Sequence, residues 1–244
     1  MSKNKKTNGK SSPFGPDVTL PKHIVLIPDG NRRWAKDHGL TTEEGHQKGL
    51  EVVMDMCRAA QDWGIKYFTI WAFSTENWNR SPFEVGYLMR IFKQMIKKFL
   101  KEFLEKGVKI IHLGRRDRIP KFLRETIEDA EKKTSDNKNY FLNIALDYGG
   151  RDEIVRAVNN IVSNGYRGQK ITESEFAKHL DTNGQPPPDL IIRTSGEKRL
   201  SGIMPWQSAY AELYFEKVHL PDFTAKHLKK AILDYSSRQR RFGN

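Results

Sequence analysis

Cysteine is almost missing from this chain: Cys57 is the only one in 244 residues. That excludes an intrachain disulfide and a multi-cysteine zinc site. Its neighbours Val52, Val53, Met54 and Met56 mark Cys57 as part of a buried helix face rather than a reactive thiol. Long apolar runs are missing as well, and none reaches the roughly 20 residues that span a bilayer. Residues 1–20 carry Lys3, Lys5, Lys6 and Lys10 and lack the apolar segment of a secretory signal. The expectation is a cytoplasmic chain with a disordered basic tail (residues 1–20) and a single folded domain (residues 21–244). Three nucleotide and metal signatures are also absent: Gly-x4-Gly-Lys-Ser/Thr, Gly-x-Gly-x-x-Gly and His-Glu-x-x-His. Nucleotide-hydrolase, dinucleotide and zinc-protease readings lose their usual support.

Negative charge is scarce relative to positive. Forty-two Lys and Arg face 30 Asp and Glu, a formal net charge of +12. Such a balance implies an anionic partner: nucleic acid, an acidic membrane surface or a phosphorylated small molecule.

Apolar spacing predicts strands at residues 23–27, 66–73, 108–113, 140–146, 189–193 and 212–218. Helices are predicted at residues 32–38, 45–63, 82–106, 119–133, 151–163 and 223–241. Strands alternating with helices predict an α/β fold: one domain with a central, mostly parallel, six-stranded sheet flanked by helices. Ligands of such sheets bind beyond the carboxyl ends of the strands. Asp29, residues 74–80, residues 147–151 and residues 193–201 all follow predicted strand ends, so parallel strands would gather them on one rim.

The rim has a chemical bias. Pro28-Asp29-Gly30-Asn31-Arg32-Arg33-Trp34 places one carboxylate, a Gly-Asn turn and two arginines where a strand gives way to a helix. That is a place to hold a metal-bound polyanion. Arg80, Arg193 and Arg199 add planar forks for phosphate oxygens, and His46, Ser74, Asn77 and Ser201 add neutral donors and acceptors. Asp29 and Glu212 are the oxygen ligands suited to Mg²⁺. Residues 193–201 form a basic loop around Gly196. The helix at 82–106 carries a wide stripe, Tyr87, Leu88, Ile91, Phe92, Met95, Ile96, Phe99, Leu100, Phe103 and Leu104, opposite Lys93, Lys97, Lys98 and Lys101. Core packing explains that stripe; lining for a hydrocarbon chain or contact with lipid would also need one.

Together these segments resemble the cis-prenyltransferase family of the undecaprenyl diphosphate synthase type, from about Lys22 to Gly243. The resemblance rests on residues 23–35, on Gly45-His46-x-x-Gly49, and on Ala72-Phe73-Ser74-Thr75-Glu76-Asn77-Trp78-Asn79-Arg80. It continues in Tyr148-Gly149-Gly150-Arg151, in residues 189–197 and in residues 206–215. It implies condensation of isopentenyl diphosphate with an allylic diphosphate such as farnesyl diphosphate, with Mg²⁺ as cofactor. The implied product is a cis-polyprenyl diphosphate, the lipid carrier for cell-wall glycan synthesis. A non-catalytic scaffold subunit and a short-chain isoprenyl diphosphate synthase are the other readings. By the same resemblance Asp29 is the essential carboxylate, with Glu212 as a second carboxylate near the metal. Gly30, Asn31, Arg32, Arg33, Trp34 and His46 belong to the allylic diphosphate cradle. Ser74, Thr75, Glu76, Trp78 and Arg80 belong to a loop over the reacting carbons, with Asn77 assisting proton loss. Arg193, Arg199, Leu200 and Ser201 belong to the isopentenyl diphosphate site.

The resemblance further implies an apolar tunnel for the product and a homodimer. The arginines converge on strand ends instead of spreading over a face with exposed aromatics, so no nucleic-acid partner is expected; the apolar stripe and the Lys-rich tail leave room for peripheral contact with a membrane. Arg241-Phe242-Gly243 is similar to an ending that in some members reaches the partner's active site. The chain departs from the family pattern at Pro28 (usually Met), at Thr42 (often Arg) and at Asp147 (commonly Asn).

Overall fold

The computed structural model describes residues 13–165, 168 and 170–238. Residues 1–12 of the expected tail and the 241–243 ending lie outside the described residues. Residues 13–20 rest on the domain: Phe14 meets Trp63 edge-on at 5.4 Å, Leu20 packs on the core, and Thr19 N–H donates to Ser236 Oγ at 2.9 Å.

Six strands form one sheet: β1 (His23–Ile27), β2 (Tyr67–Ser74), β3 (Val108–Leu113), β4 (Tyr140–Tyr148), β5 (Leu190–Arg193) and β6 (Glu212–Phe215). The order is β3-β4-β2-β1-β5-β6, and every pairing is parallel. "Mostly parallel" therefore becomes all parallel. β1 is buried on both faces, as central parallel strands are. Its alternate residues feed two cores. Ile24 and Leu26 join the larger, with Met56, Phe68, Leu88, Ile110 and Ile232; Val25 and Ile27 join the smaller, with Leu113, Tyr148, Ile191 and Met204.

The helices are α1 (Asn31–Asp37), α2 (Thr42–Asp62), α3 (Pro82–Glu105), α4 (Lys121–Lys133), α5 (Gly150–Ser163), α6 (Glu173–Ala177) and α7 (Ala225–Ser237). Thr41 caps α2 reciprocally with Glu44, an arrangement that contributes about 1 kcal/mol. Pro82 at the start of α3 needs no N–H partner there. α1 lies tightly on α2, and the glycines of Gly45-His46-x-x-Gly49 make that possible. A Cβ on Gly45 would stand 2.4 Å from Asn31 O, and one on Gly49 2.3 Å from Asn31 Oδ1. Asn31 and His46 are thereby locked side by side.

β1 is the point where the winding reverses: the chain runs from β1 to β2 on one side, and β5 returns on the other. The crevice beyond β1 and β5 is the place such a sheet offers a ligand.

Candidate active site

Asp29 stands two residues past β1, at the mouth of that crevice. Its Oδ1 accepts from Arg33 Nη2 at 3.0 Å and its Oδ2 from Arg193 Nη2 at 2.9 Å. Burial alone would raise its pKa. Arg193, then Arg33, outweigh burial by hydrogen bond and charge and hold the carboxyl below its ordinary value. The backbone is fixed by Thr194, whose Oγ1 donates to Asp29 O at 2.6 Å and accepts from Asp29 N–H at 2.8 Å. Gly30, at φ 104°, makes the turn into α1.

Arg193 is the last residue of β5 and is buried. Its Nη1 donates to Ser201 Oγ at 2.8 Å and to Arg199 O at 2.6 Å, while its Nε has no partner. One guanidinium thus ties β5, the basic loop and Asp29 together. Glu197 extends the network, accepting from Arg33 at 2.9 Å and from Arg199 at 2.5 Å.

A second cluster lies across the crevice. Glu84, in the first turn of α3, accepts from Arg80 Nη1 at 3.0 Å, contacts His46 Nε2 at 3.2 Å and stands 4.0 Å from Arg32. Burial would raise the Glu84 pKa, but His46 and the two arginines bring it below its ordinary value. The His46 pKa is lowered, chiefly by burial and then by Arg80, against the hydrogen bond it makes to Glu84, which raises it. Asn31 Nδ2 approaches His46 Nδ1 at 3.5 Å.

Between the clusters is a cavity of about 330 Å³ lined by Asp29, Asn31, His46, Ser74, Glu76, Asn77, Arg80, Arg193 and Ser201, among others. A polar recess of similar volume beside it adds Gly30, Arg32 and Arg33. The main cavity runs onto Leu50, Val53, Ile70, Ala72 and Phe92. Those same residues open a wholly apolar cavity of about 60 Å³ between α2 and α3, reaching Met54, Met95, Phe103 and Leu142.

The structure therefore brings together most of the residues expected at the rim. Others it places elsewhere. Trp34 stacks on His38, Leu200 packs in the smaller core, and Thr75 lies against Gly149. Trp78 turns from the cavity to Asp147, and the Arg199 side chain is mostly exposed. Glu212 is not brought to Asp29. It opens β6 opposite Leu190, at the far end of the parallel strands, and its carboxylate accepts from Arg238 Nη1 at 2.6 Å. Glu84 and Thr194 are the partners that sequence reasoning missed. Glu84 stands three residues after Ser81, whose Oγ accepts from Glu84 N–H at 3.2 Å, so it reads as an ordinary helix-start residue. Its place one turn from Arg80 was the available signal.

A family model described as putative undecaprenyl diphosphate synthase matches residues 27–243. The chain belongs to this family of prenyltransferases. The isoprenyl transferase of Aquifex aeolicus is 45% identical over 226 residues, covering 93% of this chain and 97% of the relative. That of Fusobacterium nucleatum is 46% identical over 227 residues, with the same coverage. Among solved structures, lavandulyl diphosphate synthase from Lavandula x intermedia, in complex with dimethylallyl diphosphate, superposes with a TM-score of 0.89. It is 38% identical and covers 92% of this chain and 99% of its own. A probable undecaprenyl diphosphate synthase from Campylobacter jejuni gives 0.78 at 28% identity, covering 93% and 100%. The protein is a prenyltransferase enzyme, and the crevice beyond β1 and β5 is its candidate active site.

Proposed function

We propose that this prenyltransferase condenses isopentenyl diphosphate with an allylic diphosphate such as farnesyl diphosphate, building a cis-polyprenyl diphosphate that serves as the lipid carrier for cell-wall glycan synthesis. The observation that carries this reading is two separate arginine–carboxylate clusters flanking one cavity that continues into an apolar one. Two diphosphates and a hydrocarbon chain need such a division of space.

Arg32, Arg33, Arg80 and His46, with Asn31 and the Gly30 turn, bind the allylic diphosphate, and Arg193, with Ser201 and Arg199, binds the second. As the allylic C–O bond ionises, the guanidiniums stabilise the leaving charge. Leu50, Val53, Ile70 and Phe92 keep water from the cation. The π electrons of isopentenyl diphosphate form the new C–C bond, and loss of one proton completes the double bond. We assign Asn77, beside the cavity, to assist that proton's departure.

Mg²⁺ fits the donor set. Both Asp29 oxygens are engaged by guanidiniums, and the described residues hold no group of three or more His, Cys, Asp or Glu suited to a metal. An ion that keeps one carboxylate plus substrate phosphates suits that arrangement. Asp29 would hold it, and it would neutralise diphosphate charge.

Homodimer formation is supported by an exposed apolar stripe on α5: Val155, Val158 and Val162 are 58, 46 and 64% exposed. Peripheral contact with a membrane is supported by Lys93, Lys97 and Leu100 beside exposed Phe122 and Leu104, in a protein whose described residues include no membrane-spanning helix. A cytoplasmic location suits both. A short-chain product is a second reading, favoured by the small apolar cavity, which must widen between α2 and α3 for a long chain.

The test is incorporation of radiolabelled isopentenyl diphosphate with dimethylallyl, geranyl or farnesyl diphosphate, with and without EDTA, resolving products by length. Long products that disappear with EDTA are expected. A single condensation would select the short-chain reading, and no incorporation with any primer would overturn both.

A further inference from the structure

β2 and β4 slip past each other at their carboxyl ends. Trp71 pairs with Ala145, Phe73 with Leu146 and Ser74 with Tyr148. Ala72 on β2 and Asp147 on β4 are thus each an extra residue, a pair of compensating bulges next to the site. Asp147 takes the left-handed conformation (φ 54°), which Asp tolerates better than most residues. It is fully buried.

That carboxylate has two donors. Arg118, in the turn before α4, donates Nε to Oδ2 at 2.9 Å and Nη2 to Oδ1. Trp78 donates its indole Nε1–H to Oδ1 at 2.8 Å. The Arg118 guanidinium also lies 5.8 Å from the Trp78 ring, and Phe73 meets that ring edge-on at 5.2 Å. Trp78 belongs to the 3₁₀ turn Thr75–Asn79. The opposite side of this turn carries Glu76 and Asn77 into the cavity, and Arg80 follows it. One side of a short turn meets substrate space while the other is bolted to a buried charge.

We propose that Asp147 is a positioning residue for the prenyl transfer: through Trp78 it holds the turn that presents Asn77 and Arg80 to the cavity, with Arg118 as its counter-ion. The proposal rests on the reading that this turn meets substrate. The chemistry specifies an acceptor. An indole N–H is a donor only, so position 147 needs an oxygen aimed at it. A fully buried carboxylate also needs its cation, because an unpaired buried charge is strongly unfavourable. Asparagine keeps one acceptor oxygen but strands Arg118. Asp147→Asn combined with Arg118→Met keeps the acceptor and removes both charges.

The experiment compares wild type, Asp147→Leu, Arg118→Met, the Asp147→Asn/Arg118→Met double variant and Trp78→Phe. It reads amide hydrogen exchange of residues 74–80 against β1, together with kcat and the KM of the allylic primer. Asp147→Leu is expected to speed exchange at residues 74–80 at least tenfold while β1 changes less than about threefold. Its kcat should fall at least tenfold, with the primer KM within about threefold. The double variant is expected to recover to within about threefold of wild type in both readouts, and Arg118→Met alone is not. If Asp147→Leu does not fold, Trp78→Phe, which deletes the indole donor, carries the test with the same readouts. Unchanged exchange at residues 74–80, or equal acceleration in β1, overturns the anchor whatever the activity. Faster exchange with unchanged kcat also overturns the proposal, and places the failure in the reading that this turn meets substrate.

Discussion

The two clusters that face each other across the crevice are built on the same plan and present different surfaces. In each, one carboxylate gathers basic side chains from separate elements: Asp29 takes Arg33 and Arg193, and Glu84 takes Arg80, His46 and, at longer range, Arg32. The Glu84 side chain is 11% exposed and that of Asp29 27%. Glu84 is a clamp sunk into the start of α3, and its work is to hold cations in register. Asp29 lines the cavity, and the cations on either side hold its pKa below the ordinary value; the use we propose for it lies there. Similar pairing therefore marks two roles, and exposure to the cavity separates them.

That contrast can be broken at three positions. Asp29→Ala removes the open carboxylate and is expected to lower kcat about 10³-fold, read by isopentenyl diphosphate incorporation on protein with wild-type circular dichroism. Arg193→Met strips three elements of their common partner and should lower kcat/KM for isopentenyl diphosphate about 10- to 100-fold. Arg193→Lys should recover only part of that loss, because a single ammonium cannot replace the fork. Glu84→Gln keeps the shape of the clamp and loses its charge. We expect the KM of the allylic primer to rise about tenfold with kcat within about threefold, measured by steady-state kinetics over a primer series.

The smallest effect is on stability. Glu153 is a buried carboxylate held by neutral donors, Tyr148 at 2.6 Å and Gln207 at 3.0 Å, and burial raises its pKa. A group whose folded pKa is raised contributes stability below its unfolded value and loses it as pH rises through the folded one. Asp29, with its depressed pKa, behaves oppositely: its contribution is present above the unfolded value and fades as pH falls through the folded one. As pH rises above the ordinary carboxylate range, melting temperature should therefore lose less in Glu153→Gln than in wild type. Asp29→Ala should flatten the acid side instead.

Much of the scaffold was legible in the sequence because its signals are local. The apolar run Ile24–Ile27 of β1 and Pro82 at the start of α3 each fix an element by short-range rules, and parallel winding then puts strand ends on one rim; the Thr41–Glu44 cap, which starts α2 at Thr42 rather than residue 45, went unread. The small differences have physical causes. β6 ends at Phe215 because the chain beyond it bonds to the basic loop: Gly196 N–H donates to Glu216 O, and Ser195 N–H to Val218 O. α6, five residues long, carried too little periodicity to be seen. Pairings between distant segments were the illegible part. Nothing in the sequence says that Glu84 meets His46, that Trp78 faces Asp147 rather than the cavity, or that Glu212 opens β6 beside Arg238. Each depends on strand direction or on a bulge set by the packed sheet.

We propose that the Arg193 side of the cavity binds isopentenyl diphosphate and the Arg80 side the allylic diphosphate, with Arg33 lending the allylic site a cation from the Asp29 cluster. Calorimetric titration of isopentenyl diphosphate, without primer and so without turnover, into wild type, Arg193→Met and Arg80→Met tests it most directly. Binding to Arg193→Met is expected to be at least tenfold weaker, with no more than about a threefold change for Arg80→Met. Equal loss in the two variants, or wild-type affinity in Arg193→Met, would contradict it.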